Sequence, residues 1–372
     1  MRRSPWLPIL LLVAVGLYFA PRSGGQGFDF NFNFQPLPQL QAPQDLPQES
    51  QDLFRKTRPA SVRVEQSSNA YGGPDAIGTG FFIDDKGTLL TAYHVIDGAR
   101  FLNVTTVSQQ RFRASVVGFD AARDIAVLKA DIGGTVPFLN LAPREPRPGE
   151  AVLAVGNSRG QFLQPRRGRL LRLNAEAARA DFPQGTLEMS APLAPGDSGG
   201  PIVNSAGQAI GVVSYIRLAN DTLGSGQNQN EDDIRTLASY AVPVTRTDAT
   251  VQALRAGAKR DVPALGIKFD VAHDGQLSTP GAVVSEVVPG GPADKAGVRG
   301  ASFDKQNQLV SLGDIIVAVD GQDTSGFDEL QFQVRQKRIG QTVTLTVQRG
   351  GEQVKLPVVL GPKATIFAGG QQ

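Results

Sequence analysis

The sequence contains no cysteine, and its 372 residues include only two histidines, one tryptophan and two methionines. Without a thiol there can be no disulfide framework, no thiolate metal site and no cysteine nucleophile. His94 and His273 lie far apart in the chain, so a multi-histidine metal centre is not expected, and no other cofactor is called for. Any imidazole chemistry must use one of these two side chains. Excess charge is scarce too: 37 Lys and Arg against 35 Asp and Glu leave a net charge of +2, too weak a field to imply nucleic acid as a partner. The arginines between Arg144 and Arg179 are locally dense and read as solvated loop positions.

An apolar run of full spanning length is also missing at the N-terminus. Trp6 to Ala20 is uncharged and mostly aliphatic and follows Arg2 and Arg3, the order of a signal peptide or signal anchor. It is shorter than the ~20 residues of an ordinary spanning helix, and Pro21 directly behind it makes a poor cleavage site. Residues 1–20 are therefore read as an anchor or signal peptide that puts the rest of the chain outside the cytoplasm, membrane-anchored or secreted. Residues 21–51, rich in Gly, Pro, Gln and Asn, read as a flexible tether in which Phe28, Phe30, Phe32 and Phe34 alternate.

Glycine and proline are plentiful, with 42 and 25 residues, while 41% of the chain is hydrophobic. Short apolar or alternating runs broken by turns recur over residues 52–247, among them Ser61–Gln66, Gly80–Asp84, Thr88–Ala92, Ala114–Phe119, Ile125–Ala130, Ala151–Val155, Pro201–Val203 and Ala209–Tyr215. That spacing predicts a mainly β domain of barrel or sandwich type. Asp248–Ala256 predicts a short helix in a linker, 248–261. A second β-rich unit over 262–361 carries a helix at Phe327–Lys337 between the strands Ile315–Asp320 and Thr342–Arg349, and residues 362–372 read as a frayed tail.

The most informative segment is Ala194-Pro195-Gly196-Asp197-Ser198-Gly199-Gly200-Pro201. A serine hydroxyl is a poor nucleophile unless a base takes its proton and a pair of donors stabilises the oxyanion made by its attack. Glycines on both sides of Ser198 leave the backbone unobstructed, so the amides of Gly196 and Ser198 can converge on one point. The base is expected to be His94, the only histidine in this domain, at the end of the apolar strand Thr88–Ala92. A carboxylate must then hold the imidazole tautomer. Asp97 and Asp120 compete for that role, but Asp124, opening the buried strand Ile125–Leu128, fits it best.

Taken in order, Gly78-Thr79-Gly80-Phe81-Phe82-Ile83, Thr91-Ala92-Tyr93-His94-Val95, Asp124-Ile125-Ala126-Val127-Leu128-Lys129, Val155-Gly156-Asn157 and Gly196-Asp197-Ser198-Gly199-Gly200-Pro201 resemble the HtrA/Deg proteases. The resemblance covers nearly everything after the tether. It implies a two-barrel trypsin-like domain, with His94 and Asp124 from the first barrel and Ser198 from the second. It also implies an extracytoplasmic endopeptidase acting on unfolded or damaged polypeptides in protein quality control, and a homotrimer packed through the N-terminal end of that domain, with Phe54 and Tyr71 as candidate aromatics. One departure is Asp197, where HtrA proteins usually carry Asn and digestive trypsins carry Asp. The rival reading is a peptide-binding scaffold or chaperone on a protease fold.

By the same resemblance, Pro192 occupies the pocket position where trypsins of basic specificity carry Asp, so an apolar pocket is expected. Gly211-Val212-Val213-Ser214-Tyr215-Ile216 resembles the strand that pairs with substrate, with Ile216 narrowing the pocket and Ser214 reaching Asp124. Ala219 to Asp233 reads as a polar loop near the cleft. The C-terminal unit resembles a PDZ domain. Ala264-Leu265-Gly266-Ile267 would form its carboxylate-binding loop and strand, and Leu265, Ile267 and Leu330 the pocket for the last side chain of a peptide. His273 reads as a surface turn residue.

Overall fold

The computed structural model describes residues 45–67, 73–176, 183–218, 236–269, 279–303 and 309–369. The apolar segment 1–20, most of the tether, Tyr71, the loop 219–233 and His273 lie outside them. The chain divides into two compact units, one reaching to Arg260 and the other starting at Asp261. The first begins with helix α1 (Gln48–Thr57), which starts inside the segment read as tether. Its apolar face explains why: Phe54, one of the two candidate aromatics for trimer packing, is 7% exposed and belongs to this chain's own core.

Six strands follow: β1 (Ser61–Ser67), β2 (Ala76–Phe82), β3 (Thr88–Thr91), β4 (Phe101–Thr105), β5 (Arg111–Asp120) and β6 (Ile125–Ala130). They pair in the order β5-β4-β1-β2-β3-β6, and β5 also pairs with β6, which closes a barrel. Closure removes the unpaired edges that a six-strand open sheet would present. The second barrel is built from β7 (Ala151–Gly156), β8 (Gln164–Ala175), β9 (Thr186–Met189), β10 (Pro201–Val203), β11 (Ala209–Leu218) and β12 (Thr236–Pro243), closed in the order β10-β11-β12-β9-β8-β7. Ile125–Ala130 and Pro201–Val203 fall where their apolar runs place them, whereas β4 and β12 lie outside the runs read from the sequence.

One apolar cluster joins the two barrels, with Phe81, Leu90, Ile125 and Val127 from the first and Leu153, Val155, Val203, Val212 and Val242 from the second. Helix α2 (Ala249–Arg255) adds Val251 and Leu254 to the same cluster. Strand β13 (Lys259–Arg260) then lies parallel to the end of β5. This shared core packs the two barrels against each other.

The second unit contains β14 (Pro263–Ala264), β15 (Ile267–Phe269), β16 (Ala282–Val287), α3 (Pro292–Lys295), β17 (Ser302–Phe303), β18 (Leu309–Ser311), β19 (Ile315–Val319), β20 (Gln322–Asp323), α4 (Phe327–Arg335), β21 (Thr342–Arg349), β22 (Glu352–Val359) and β23 (Gly361–Pro362). Its main sheet runs β15-β16-β19-β21-β22, with β20 on β19 and a separate pair β14–β23. Where a frayed tail was expected, Lys363–Gly369 forms helix α5, and its Ala364 amide is capped by Asp261 Oδ2 at 3.0 Å. The molecule is mainly β, a domain of two closed six-strand barrels followed by a smaller unit built on one main sheet. Among the described residues, no helix is long and apolar enough to cross a membrane.

Candidate active site

His94 sits in a single helical turn, Tyr93–Val95, immediately beyond β3. That turn is anchored by Tyr93, whose ring is buried and stacks on Phe119 at 4.9 Å, so His94 is left with its side chain 36% exposed at the barrel rim. Asp124 precedes β6 with φ +54°, a left-handed conformation that aspartate tolerates better than most residues. The conformation turns its carboxylate back toward the imidazole. Asp124 Oδ2 lies 2.8 Å from His94 Nδ1, and Oδ1 accepts the His94 amide at 2.8 Å. Ser214, on β11 of the other barrel, donates its hydroxyl to Asp124 Oδ2 at 2.5 Å. Burial pushes the Asp124 carboxyl up, but the charge and hydrogen bonds of His94 and the bond from Ser214 outweigh it and leave the group below its ordinary value.

Ser198 stands just ahead of β10, and its Oγ donates to the carbonyl oxygen of Ser214 at 3.5 Å. The same Ser214 therefore touches the carboxylate through its side chain and the serine through its backbone. The competing carboxylates are occupied elsewhere. Asp97 accepts the Tyr93 hydroxyl at 2.9 Å, and Asp120 accepts the Arg123 amide at 3.0 Å and meets Arg260 at 3.3 Å.

The loop around Ser198 needs its glycines for space. Gly196 has φ +100° and Gly199 φ +84°, and a Cβ on Gly199 would lie 2.1 Å from the Thr79 carbonyl oxygen. Thr79 fastens this loop to the first barrel. Its amide donates to the Ser198 carbonyl at 2.7 Å and its hydroxyl to the Gly196 carbonyl at 2.6 Å, while Thr91 donates to the Thr79 carbonyl at 2.7 Å. Asn157 adds bonds from Nδ2 to Thr79 Oγ1 at 3.0 Å and to the Gly78 carbonyl at 3.3 Å. Thr79 and Asn157, both within the motif segments of the sequence, thus hold the Ser198 loop in place. Arg166 differs from the solvated loop position expected of the arginines between Arg144 and Arg179: it is 3% exposed and faces Asp197.

Pro192 is half-buried, and Ile216 is a partly buried residue packed on the interior cluster of the second barrel. Tyr215 is 7% exposed and stacks on Tyr240 with ring centroids 4.4 Å apart. In the second unit Leu265, Ile267 and Leu330 share one core cluster and are 4%, 6% and 0% exposed. Gly266 between the first two has φ +75°, and its carbonyl accepts the Val288 amide at 2.8 Å. Among the described residues, no group of three or more His, Asp or Glu side chains is placed to hold a metal ion.

Two barrels sharing one core, with a serine, a histidine and an aspartate at their junction, define the trypsin-like class. Residues 78–212 match the family described as trypsin-like peptidase domain, and residues 263–360 match PDZ domain. The chain belongs to the HtrA/Deg family of trypsin-like serine proteases with a C-terminal PDZ domain. It is 35% identical over 301 residues to protease Do-like 1, chloroplastic, of Arabidopsis thaliana, which is 78% of this chain and 64% of that protein. It is 31% identical over 327 residues to putative serine protease HhoA of a Synechocystis strain, 83% of this chain and 74% of the relative. Against periplasmic serine endoprotease DegP of Escherichia coli K12 it is 28% identical over 289 residues, 77% of this chain and 57% of the relative.

Proposed function

We propose that the chain is an extracytoplasmic serine endopeptidase that cleaves unfolded or damaged polypeptides, with Ser198 as nucleophile, His94 as general base and Asp124 as the group orienting the imidazole. The observation that carries this is the 2.8 Å contact between Asp124 and His94 Nδ1, reinforced by Ser214 and set beside Ser198. Ser198 Oγ attacks the substrate carbonyl carbon while its proton passes to His94 Nε2. The amides of Gly196 and Ser198 stabilise the resulting oxyanion. As the C–N bond breaks, His94 gives the proton to the leaving amine, and water then attacks the acyl ester by the same route to free Ser198. The apolar lead segment, and the periplasmic and chloroplastic names of the relatives, support a site outside the cytoplasm.

Pro192 and Ile216 favour small or medium aliphatic side chains before the cut bond, since a bound Lys or Arg would lose water and meet no opposite charge. The PDZ unit binds peptide C-termini through Leu265, Gly266, Ile267 and Leu330, and the chain assembles as a homotrimer tethered to the membrane. The deciding experiment compares hydrolysis of denatured casein by the wild-type chain and by Ser198→Ala and His94→Ala, with cut sites mapped by mass spectrometry. Each variant should lose at least about a thousandfold in turnover and remain folded. Retained turnover, or cleavage mainly after Lys, Arg or large aromatics, would contradict the assignment. Casein bound and kept soluble with no cleavage by the wild type would favour the scaffold reading.

A further inference from the structure

Asp197, between the two proposed oxyanion donors, is wholly buried, and so is the cation nearest to it. Its Oδ1 accepts the Ser158 amide at 3.0 Å and its Oδ2 the Ala194 amide at 3.0 Å. Arg166 Nε stands 3.7 Å from Oδ2, and the two side chains are 2% and 1% exposed. That separation exceeds hydrogen-bond range, and Arg166 Nε has no hydrogen-bond partner, so the guanidinium meets the carboxylate as a charge. Its other nitrogens are held by the Pro165 carbonyl at 3.0 Å, Ser158 Oγ at 2.9 Å and Gln161 Oε1 at 3.3 Å. The pocket is made for this carboxylate: a Cβ on Gly156 would lie 2.1 Å from Asp197 Oδ1.

Neither charge takes part in the proton transfers of the proposed reaction, yet both are taken out of water. Burial pushes the Asp197 carboxyl up and the Arg166 guanidinium down, and each is opposed by the other's charge. Arg159 is a second cation within electrostatic reach of the pair. A buried ion of this kind persists only while it is compensated, and removing one partner leaves the other unpaired. The connection that leads into β8, the strand carrying Arg166, is also tied to the first barrel, because Asn157 at its start bonds Thr79 and the Gly78 carbonyl while Asn157 Oδ1 accepts the Leu163 amide at 3.1 Å.

We propose that Arg166 is a positioning residue for the oxyanion amides: by compensating buried Asp197 it holds that carboxylate on the Ser158 and Ala194 amides, and so fixes the peptide planes of Gly196 and Ser198 on either side. The role rests on the active-site reading above. Misplaced oxyanion donors weaken interactions made with the transition state more than those made with bound substrate.

The test is steady-state cleavage of a short peptide by the full chain, by Arg166→Met, by Arg166→Met combined with Asp197→Asn, and by Ser198→Ala, each well below its melting temperature. Arg166→Met should lower kcat by about tenfold to a hundredfold with KM within about threefold. The double variant buries no unpaired charge and should recover most of the lost kcat. Should Arg166→Met fail to fold, a soluble and active double variant supports the same compensation. A folded Arg166→Met with wild-type kcat overturns the proposal, as does a double variant no better than the single one in kcat or soluble yield. Absence of Ser198-dependent cleavage by the wild-type chain would instead overturn the active-site reading, and the positioning role with it.

Discussion

At the scale of single residues, Asp124 concentrates the chemistry of the site. It is buried, left-handed in backbone and bonded by the His94 ring, the His94 amide and the Ser214 hydroxyl. A carboxyl held below its ordinary value contributes stability above the unfolded value of about 3.9 and loses it as pH falls through the folded value. Asp124 is therefore ionised throughout the neutral range. Turnover should then rise with pH as the imidazole base loses its proton. In Ser214→Ala the carboxylate loses a charge-assisted bond, and the plateau of kcat/KM should fall by about tenfold while the rising limb persists. A pH profile of peptide cleavage for both proteins checks this. A flat wild-type profile from about pH 5 to 8 would remove His94 as the base, and an unchanged plateau would remove Ser214 as an orienting group.

Among the elements, α2 shows how much a short helix can depend on the residue that caps it. Asp248 caps it, accepting the amides of Thr250 at 2.8 Å and Val251 at 3.3 Å, and also meets the Arg123 guanidinium at 3.2 Å. The helix carries Val251 and Leu254 into the core shared by both barrels. Asp248→Ala should cost about 1–2 kcal/mol and lower Tm by about 2–8 °C, measurable by a thermal melt of the full chain. This helix was legible because its cap and apolar spacing are local. β4 and β12 were not, since Phe101–Thr105 is short and mixed in polarity and Thr236–Pro243 follows a long polar stretch. Both are strands because neighbours on each side pair with them.

Across the whole molecule, His94, Asp124, Ser198 and Ser214 all belong to the unit that ends at Arg260, while Leu265, Ile267 and Leu330 have a core of their own. Removal of residues 262–372 should accordingly leave cleavage of short peptides within about tenfold of the full chain and alter the rate on unfolded protein. Paired rates on a short peptide and on denatured casein measure both effects. Complete loss of peptide cleavage in a folded truncated chain would mean that the C-terminal unit helps to build the site.

The sequence by itself determined the absence of cysteine chemistry, the β-rich periodicity, the glycine-framed Ser198 and the single histidine able to serve it, because each depends on residue type and local order. Preference for Asp124 over Asp97 and Asp120 could be argued from position alone, but its bonds to His94 and Ser214 required the fold, since those residues lie 30 and 90 positions away in the chain. The tertiary structure alone decided the fate of Arg166. In sequence it is one arginine among many, and only the folding of β7 and β8 against the Ser198 loop removes it from water and sets it beside a buried carboxylate. Burial and charge pairing depend on what the rest of the chain brings to a point in space, and no local pattern encodes that.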